Sequence, residues 1–256
     1  MTTMATATFE NFFKTLATSQ RPALVWYSVP GERIELSGRV LENWVAKTAN
    51  FLVDECELAS GQSVDMAVPT HWRSVILALA ALRVGARLNL GQQPGADSHL
   101  GFTFDPSDLA EDAAGDWEYV VAVERAPLAP RFMGQLPEQI GDAEVLDYAG
   151  QVRSFGDVYS GLELPDASSV ALTEAGLTSG DVLAAVTRNG DLLRNDDAAA
   201  AYALEIPHQL TENFVLEVLT VLAAGAGVVM LDPSIEWADD RRSRVVEDEQ
   251  AHVGLN

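Results

Sequence analysis

Histidines, the single cysteine and a run of acidic residues are the side chains of this sequence best suited to chemistry. The four histidines, His71, His99, His208 and His252, are scattered, and no spacing joins them into a metal or nucleophile motif. There is no Gly-x-Ser-x-Gly elbow, Gly-x-Gly-x-x-Gly, Gly-Lys-Ser/Thr, His-Glu-x-x-His or Cys-x-x-Cys. Cys56 sits in Asp54-Glu55-Cys56-Glu57, where neighbouring negative charge disfavours the thiolate. No Lys or Arg falls between Arg87 and Arg125, a stretch holding Asp97, Asp105, Asp108, Glu111, Asp112, Asp116, Glu118 and Glu124. A divalent cation would need alternating ligands such as Asp-x-Asp-x-Asp-Gly, which are missing, so this stretch reads as a solvated surface. No metal site and no cofactor site is expected.

The elements that would position a site are laid out twice. Leu36-Ser37-Gly38-Arg39-Val40-Leu41 is echoed by Thr178-Ser179-Gly180-Asp181-Val182-Leu183, and Asp65 to Pro69 by Ala203 to Pro207. Gly85-Ala86 and Gly225-Ala226 each close a long apolar helix pattern, and the three echoes lie 142, 138 and 140 residues apart. In the first half, apolar spacing predicts a helix over 9–16, strands at 23–27 and 33–36, and a helix capped by Ser37. A strand at 64–68, a helix capped by Thr70, and strands at 86–90, 100–104 and 119–123 follow. Pro127, Pro130, Gly134 and Pro137 mark a connector. Residues 138–155 read as partly helical, and 161–166 as a loop. The second half predicts a strand at 169–172, a helix capped by Ser179, a strand at 201–206, a helix capped by Thr211 and ended by Gly225, a strand at 228–231 and a charged helix over 241–249. Trp44 and Trp72 fall on apolar helix faces or starts and read as core. Strands alternating with helices argue for an α/β fold of two similar subdomains, each a mostly parallel sheet flanked by helices, with residues 1–150 and 151–256 as the two units.

The chain has 256 residues, 48% of them hydrophobic, enough for one large or two modest domains with a proper core. A net charge of −22, from 38 acidic and 16 basic residues, repels phosphate backbones and anionic lipid, so nucleic acid and membrane surfaces are not expected partners. The longest apolar stretch, 218–231, is 14 residues and is too short for a span. One cysteine fits a reducing, cytoplasmic compartment, and residues 1–13 carry no basic residue or long apolar run, so no secretory signal is expected.

Residues 34–90 carry a resemblance to a family. They hold Ile34-Glu35-Leu36, a helix ending Ala49-Asn50-Phe51-Leu52, Ser60-Gly61-Gln62, Val68-Pro69, and a helix from Val75 to Leu82 followed by Gly85-Ala86. This resembles the start of the adenylate-forming (AMP-binding) enzymes: acyl-CoA synthetases, luciferases and peptide-synthetase adenylation domains. Residues 203–231 resemble that family's second subdomain, where a Pro-x-x-His element precedes a helix and another Gly-Ala. The likeness touches about two thirds of this chain and only the first part of a family enzyme. It implies a phosphate-holding Ser/Thr/Gly-rich loop ending Pro-Lys-Gly. The nearest string, Thr178-Ser179-Gly180-Asp181, has no second glycine, proline or lysine after it, and Asp181 places a carboxylate where a phosphate belongs. Ser179 is therefore expected to cap a helix, accepting from the N–H of Asp181 or Val182. No lysine follows Lys47, so the family's C-terminal lysine is missing, and its Tyr-Gly-x-Thr-Glu and Thr-Gly-Asp elements would lie after residue 256. By the same resemblance, His208 in Ile206-Pro207-His208 matches a histidine near the acyl pocket, at a shorter spacing. As a residue it also reads as a surface or helix-start histidine.

Three functions follow as expectations, in this order. The first is a non-catalytic relative acting as an interaction or scaffold protein, through an unknown protein partner or self-association. The second is a binder of an acyl or adenylate-like small molecule in a cleft between the halves. The third is an enzyme half completed by another chain.

Overall fold

The computed structural model describes residues 8–29, 31–91, 97–109, 117–159, 161, 166–195 and 200–255. The elements run α1 (Phe9–Thr18), β1 (Pro22–Tyr27), β2 (Arg33–Ser37), α2 (Gly38–Asp54), β3 (Ser63–Asp65), α3 (Trp72–Val84), β4 (Arg87–Asn89), β5 (Ser98–Thr103), β6 (Tyr119–Ala122), β7 (Gln139–Ile140), β8 (Ala143–Asp147) and α4 (Tyr148–Gln151). They continue with β9 (Val170–Leu172), β10 (Leu177–Thr178), α5 (Ser179–Asn195), β11 (Ala201–Ala203), α6 (Glu212–Ala224), β12 (Gly227–Leu231), α7 (Asp239–Asp248) and β13 (Ala251–Val253). The run β1-β2-α2-β3-α3-β4 and the run β9-β10-α5-β11-α6-β12 share one order, with helices of 17 and 13 residues in both.

Two mostly parallel sheets result. The five-stranded sheet has the order β13-β11-β12-β1-β2, and the eight-stranded sheet β10-β9-β4-β3-β5-β6-β8-β7. The hairpins are exchanged. β1 lies parallel to β12, with Leu24 opposite Val228, and β9 lies parallel to β4, with Leu172 opposite Leu88. The two runs of like order are β1 to β4 and β9 to β12, and each sheet draws a hairpin from the other run. One continuous apolar core includes Leu24, Trp26, Leu79, Leu88, Leu172, Phe214 and Val228 from both runs.

Helix ends explain the sharp chain reversals. Ser37 Oγ accepts from the Val40 N–H at the start of α2, and Thr211 Oγ1 accepts from Phe214 at the start of α6. Gly85 (φ 91°) and Gly225 (φ 80°) take the left-handed conformation that ends α3 and α6, which a side chain would resist. Residues 138–155, read above as partly helical, are so: 148–151 form α4 and 152–154 a further helical turn, while 139–147 form a hairpin before them. Gly141 (φ 60°) and Asp142 make the two-residue turn between β7 and β8. Among the described residues no helix is long and apolar enough to cross a membrane.

Inside the helical layer, Arg83 on α3 donates to Glu42 on α2 at 2.6 Å, and each side chain is only 10% exposed. The same guanidinium lies over the Phe13 ring of α1, so one cation ties three helices. Glu42→Ala leaves that cation buried without its carboxylate, and a loss of about 3 kcal/mol is expected in denaturant unfolding. A loss below about 0.5 kcal/mol would assign the pair no structural weight.

Candidate functional site

The helix at Thr178-Ser179-Gly180 is capped, but one residue earlier than the sequence suggests. Thr178 Oγ1 accepts from the Asp181 N–H at 3.1 Å, and the Asp181 carboxylate accepts from the Thr178 N–H at 3.1 Å and its hydroxyl at 2.7 Å. This is a reciprocal cap, and the Thr178 donors hold the Asp181 carboxyl below its ordinary range. Ser179 is the first residue of α5, and its N–H donates to Ser169 O at 2.9 Å, while Gly180 N–H donates to Ala167 O at 2.8 Å. The first run repeats this: Gly38 N–H donates to Arg21 O and Arg39 N–H to Ser19 O. Backbone carbonyls thus take the donors that a phosphate would need.

A second set of donors is also occupied. The turn between β9 and β10 runs through Thr173 to Gly176, with Gly176 at φ 62°. Its Glu174 and Ala175 N–H groups both point at the carboxylate of Glu212, at 2.7 and 2.8 Å, and Glu212 is buried at the start of α6. Successive backbone N–H groups form a nest that favours an anion. Here the anion belongs to the chain itself.

The open site lies where the two sheets meet. The segments entering α3 and α6 run antiparallel through a Pro69–Gln209 bridge, with Thr70 N–H donating to His208 O at 2.9 Å and Leu210 N–H to Val68 O at 3.0 Å. Beside this bridge is a cleft of about 330 Å³ lined by Ser28, Val29, Glu32, Pro69, Thr70, His71, Arg125, Ala126, His208, Gln209, Asp232, Pro233 and Ser234. His208, singled out from the sequence, stands exposed on its rim. His71 and Thr70 stood in the sequence only as a scattered histidine and a helix cap, and nothing joined them to the rest of the lining because it comes from five separate segments.

His71, not Thr70, caps α3. Its Nδ1 accepts from the Arg73 N–H at 3.2 Å, and its own N–H donates to Ser74 Oγ at 2.8 Å. With Nδ1 an acceptor, the neutral ring carries its proton on Nε2. The ring packs against Trp26, Phe104 and Trp72. Burial, reinforced by Arg73 and Arg125, pushes the imidazole down to about 3, with Asp232 opposing weakly. Thr70, released from capping, is 2% exposed, and its Oγ1 has no hydrogen-bond partner among the described residues. Asp232 accepts from Ser28 Oγ at 2.5 Å and from Ser234 N–H and Oγ at 2.9 and 2.6 Å. Burial opposes its ionisation, but these donors prevail and hold it below the ordinary carboxylate range. Arg125 is exposed over the Phe104 ring and, among the described residues, has no ion-pair partner. Cys56 is buried, and burial with nearby Glu55 pushes its thiol far up, in keeping with an inert side chain. Among the described residues no three His, Cys, Asp or Glu side chains group as metal ligands; Glu111, Asp112 and Asp116 of the acidic stretch lie outside those residues.

The fold is that of the N-terminal region of adenylate-forming, acyl-CoA synthetase-like enzymes. It matches a Brucella canis acyl-CoA synthetase with a TM-score of 0.66 at 19% identity, over 91% of this chain and 44% of that one. It matches the Klebsiella oxytoca NpsA N-terminal subdomain in complex with 3-hydroxybenzoyl-AMSN with a TM-score of 0.60 at 16% identity, over 96% and 58%. The amide bond synthetase McbA from Marinactinospora thermotolerans aligns with a TM-score of 0.62 at 19% identity, over 96% and 48%. In sequence, the chain is similar to a Mycobacterium tuberculosis (strain ATCC 25618 / H37Rv) protein described as a TIGR03089 family protein, 37% identical over 137 residues, covering 53% of this chain and 54% of that protein. The chain thus spans about half the length of the proteins it matches. No family model matches it.

Two outcomes are expected from this geometry. Thr178→Ala should cost about 0.5–2 kcal/mol of stability and Ser179→Ala less, read by denaturant unfolding; the reverse order would return the cap to Ser179. His71, charged below pH 6.5 when unfolded but neutral down to about 3 when folded, makes the unfolded state bind the extra proton. Stability should therefore fall as pH drops from about 6.5 towards 3, and His71→Asn, which keeps a capping oxygen, should flatten that slope. An equal slope in the variant would exclude His71 as its source.

Proposed function

We propose that this chain is a non-adenylating relative of the acyl-CoA synthetase-like enzymes that binds a small molecule in the cleft between its sheets. The observation carrying this reading is the cleft of about 330 Å³ beside the Pro69–Gln209 bridge, at which Arg125 stands exposed with, among the described residues, no ion-pair partner. Against nucleotide chemistry stand the carbonyls on the first turn of α5 and the Glu212 carboxylate on the β9–β10 turn. Both belong to the half that is present, which also weakens the reading of an enzyme completed by another chain.

A second reading, an interaction protein, is favoured by the loop after Arg125. Leu128 is 89% and Met133 64% exposed, yet the loop is tied down. Arg73 Nη2 donates to Ala126 O and Pro127 O, and Glu124 accepts from the Ala126 and Met133 N–H groups.

The test is a thermal-shift screen of the 256-residue chain against ATP, AMP, CoA, acyl-adenylate analogues and a library of small polar metabolites, with pyrophosphate exchange measured in parallel. A specific ligand at a hundredfold excess over Kd should add about 2.7 kcal/mol. The expected result is no exchange above a no-protein control, no shift with ATP, and a shift with a small metabolite that Arg125→Ala abolishes. ATP-dependent exchange would overturn the non-adenylating reading. A screen without any Arg125-dependent shift would leave the interaction reading standing alone.

A further inference from the structure

The loop between β6 and β7 is anchored on its inner side and apolar on its outer side. Besides the bonds from Arg73 and to Glu124, the Phe132 N–H donates to the Asp147 carboxylate at 3.0 Å, and Phe132 packs onto the small core that holds Trp117, Val120 and Ile140. Leu128, Met133 and Leu136 are thus held outward by a fixed backbone, which leaves a partner little ordering entropy to overcome. The charge of this loop departs from that of the chain. Residues 125–137 hold Arg125 and Arg131 and no acid, in a chain of net charge −22. Both arginines are exposed, and among the described residues neither has an ion-pair partner. The flanking carboxylates of Glu124 and Asp147 are turned onto N–H groups of the loop itself. Salt confines fields between exposed charges to about 8 Å at physiological ionic strength, so a short segment lying here meets these two cations rather than the net charge of the chain. Arg and Met are also residues in which protein interfaces are enriched.

We propose that this loop docks a short segment of another protein that carries apolar anchors between Asp and Glu residues, an assignment that rests on the chain being an interaction protein. The anchors cover Leu128, Met133 and Leu136, and the acids pair with Arg125 and Arg131. A second copy of the chain fits less well: two bodies of charge −22 repel, and loop-to-loop pairing would set the arginines of one copy against those of the other. An anionic lipid surface meets the same net charge over a wider contact and is repelled by it.

The experiment selects peptides from a displayed library of random linear sequences on the immobilised full chain and measures synthetic copies of those selected by fluorescence anisotropy. The selected peptides should be acidic with large apolar residues. Leu128→Asp and Met133→Asp should weaken them roughly tenfold or more, and Arg131→Glu roughly fivefold. Added salt should weaken binding to the parent chain more than to Arg131→Glu. These three side chains are exposed and none lines the cleft, so melting temperature and any cleft ligand should be unchanged in the variants. Peptide binding that survives all three substitutions, or a library that yields nothing above a bare support, removes the docking site and the interaction reading with it. Neutral or basic peptides that still need Leu128 overturn the acidic partner and leave the interaction reading in place. Self-association in sedimentation velocity that Leu128→Asp abolishes, without peptide binding, does the same in favour of a second copy. Leu128-dependent binding to phosphatidylserine vesicles in place of peptides replaces a protein partner by a membrane and removes both.

Discussion

Each sheet is completed by a hairpin from the other half of the chain, and the rest of the structure depends on that exchange. β12 presents one edge to β11 and the other to β1, and β4 stands likewise between β3 and β9. Without the exchange, the N–H and C=O groups of one edge of β12 and of β4 would face apolar side chains unpaired, which is costly in a buried sheet. Burial agrees: residues 23–26 of β1 are all buried, as are residues 227–230 of β12. The reciprocal bonds Thr70–His208 and Leu210–Val68 repeat the exchange on a smaller scale, locking together the starts of α3 and α6. The cleft is the space left beside that lock.

This arrangement explains why chemistry differs between two runs built on one plan. In the second run the hairpin turns tightly through Thr173–Gly176, and Glu212 fills its donors. In the first run the hairpin reaches further, through Ser28 to Glu32, and the residue starting α3 is Trp72, which offers no carboxylate. The plan closes one corner with an internal anion and leaves the other as a cleft between walls of unlike charge.

Local features of the fold were legible in sequence, and non-local ones were not. Gly85 and Gly225 announced helix ends because only a left-handed residue continues the chain there. Thr211 and Ser37 announced helix starts. The choice between Thr178 and Ser179 was harder, since adjacent hydroxyls both qualify as caps; Asp181 decides it by reaching back to Thr178. Within 138–155 the helix at 148–154 was legible as part of a partly helical stretch, while the β7–β8 hairpin before it, signalled by Gly141-Asp142, was not. His71 gave no signal as a cap, because its role depends on burial against Trp26 and Phe104. Glu212 reads as an ordinary first-turn acid that suits a helix dipole. Its nest becomes visible only when a turn 37 residues earlier is folded onto it. The strands β1 and β2 were read correctly, but their partner across the chain was not, since pairing carries no local mark.

The β1–β12 ladder also sets an order of events. Leu24 meets Val228 and Tyr27 meets Leu231, contacts between residues roughly 200 apart, at the slow end of what chain topology permits. A ribosome releases the β1–β2 hairpin roughly 200 residues before its partner strand. Until β12 is made, the apolar Ala23-Leu24-Val25-Trp26 segment has no native neighbour on one side. It is then an open strand edge of the kind that other chains, or a chaperone, recognise first. The helix α2, which packs against β1 and β2, and the amphipathic helix α1, which packs onto α2, are made early enough to shelter it.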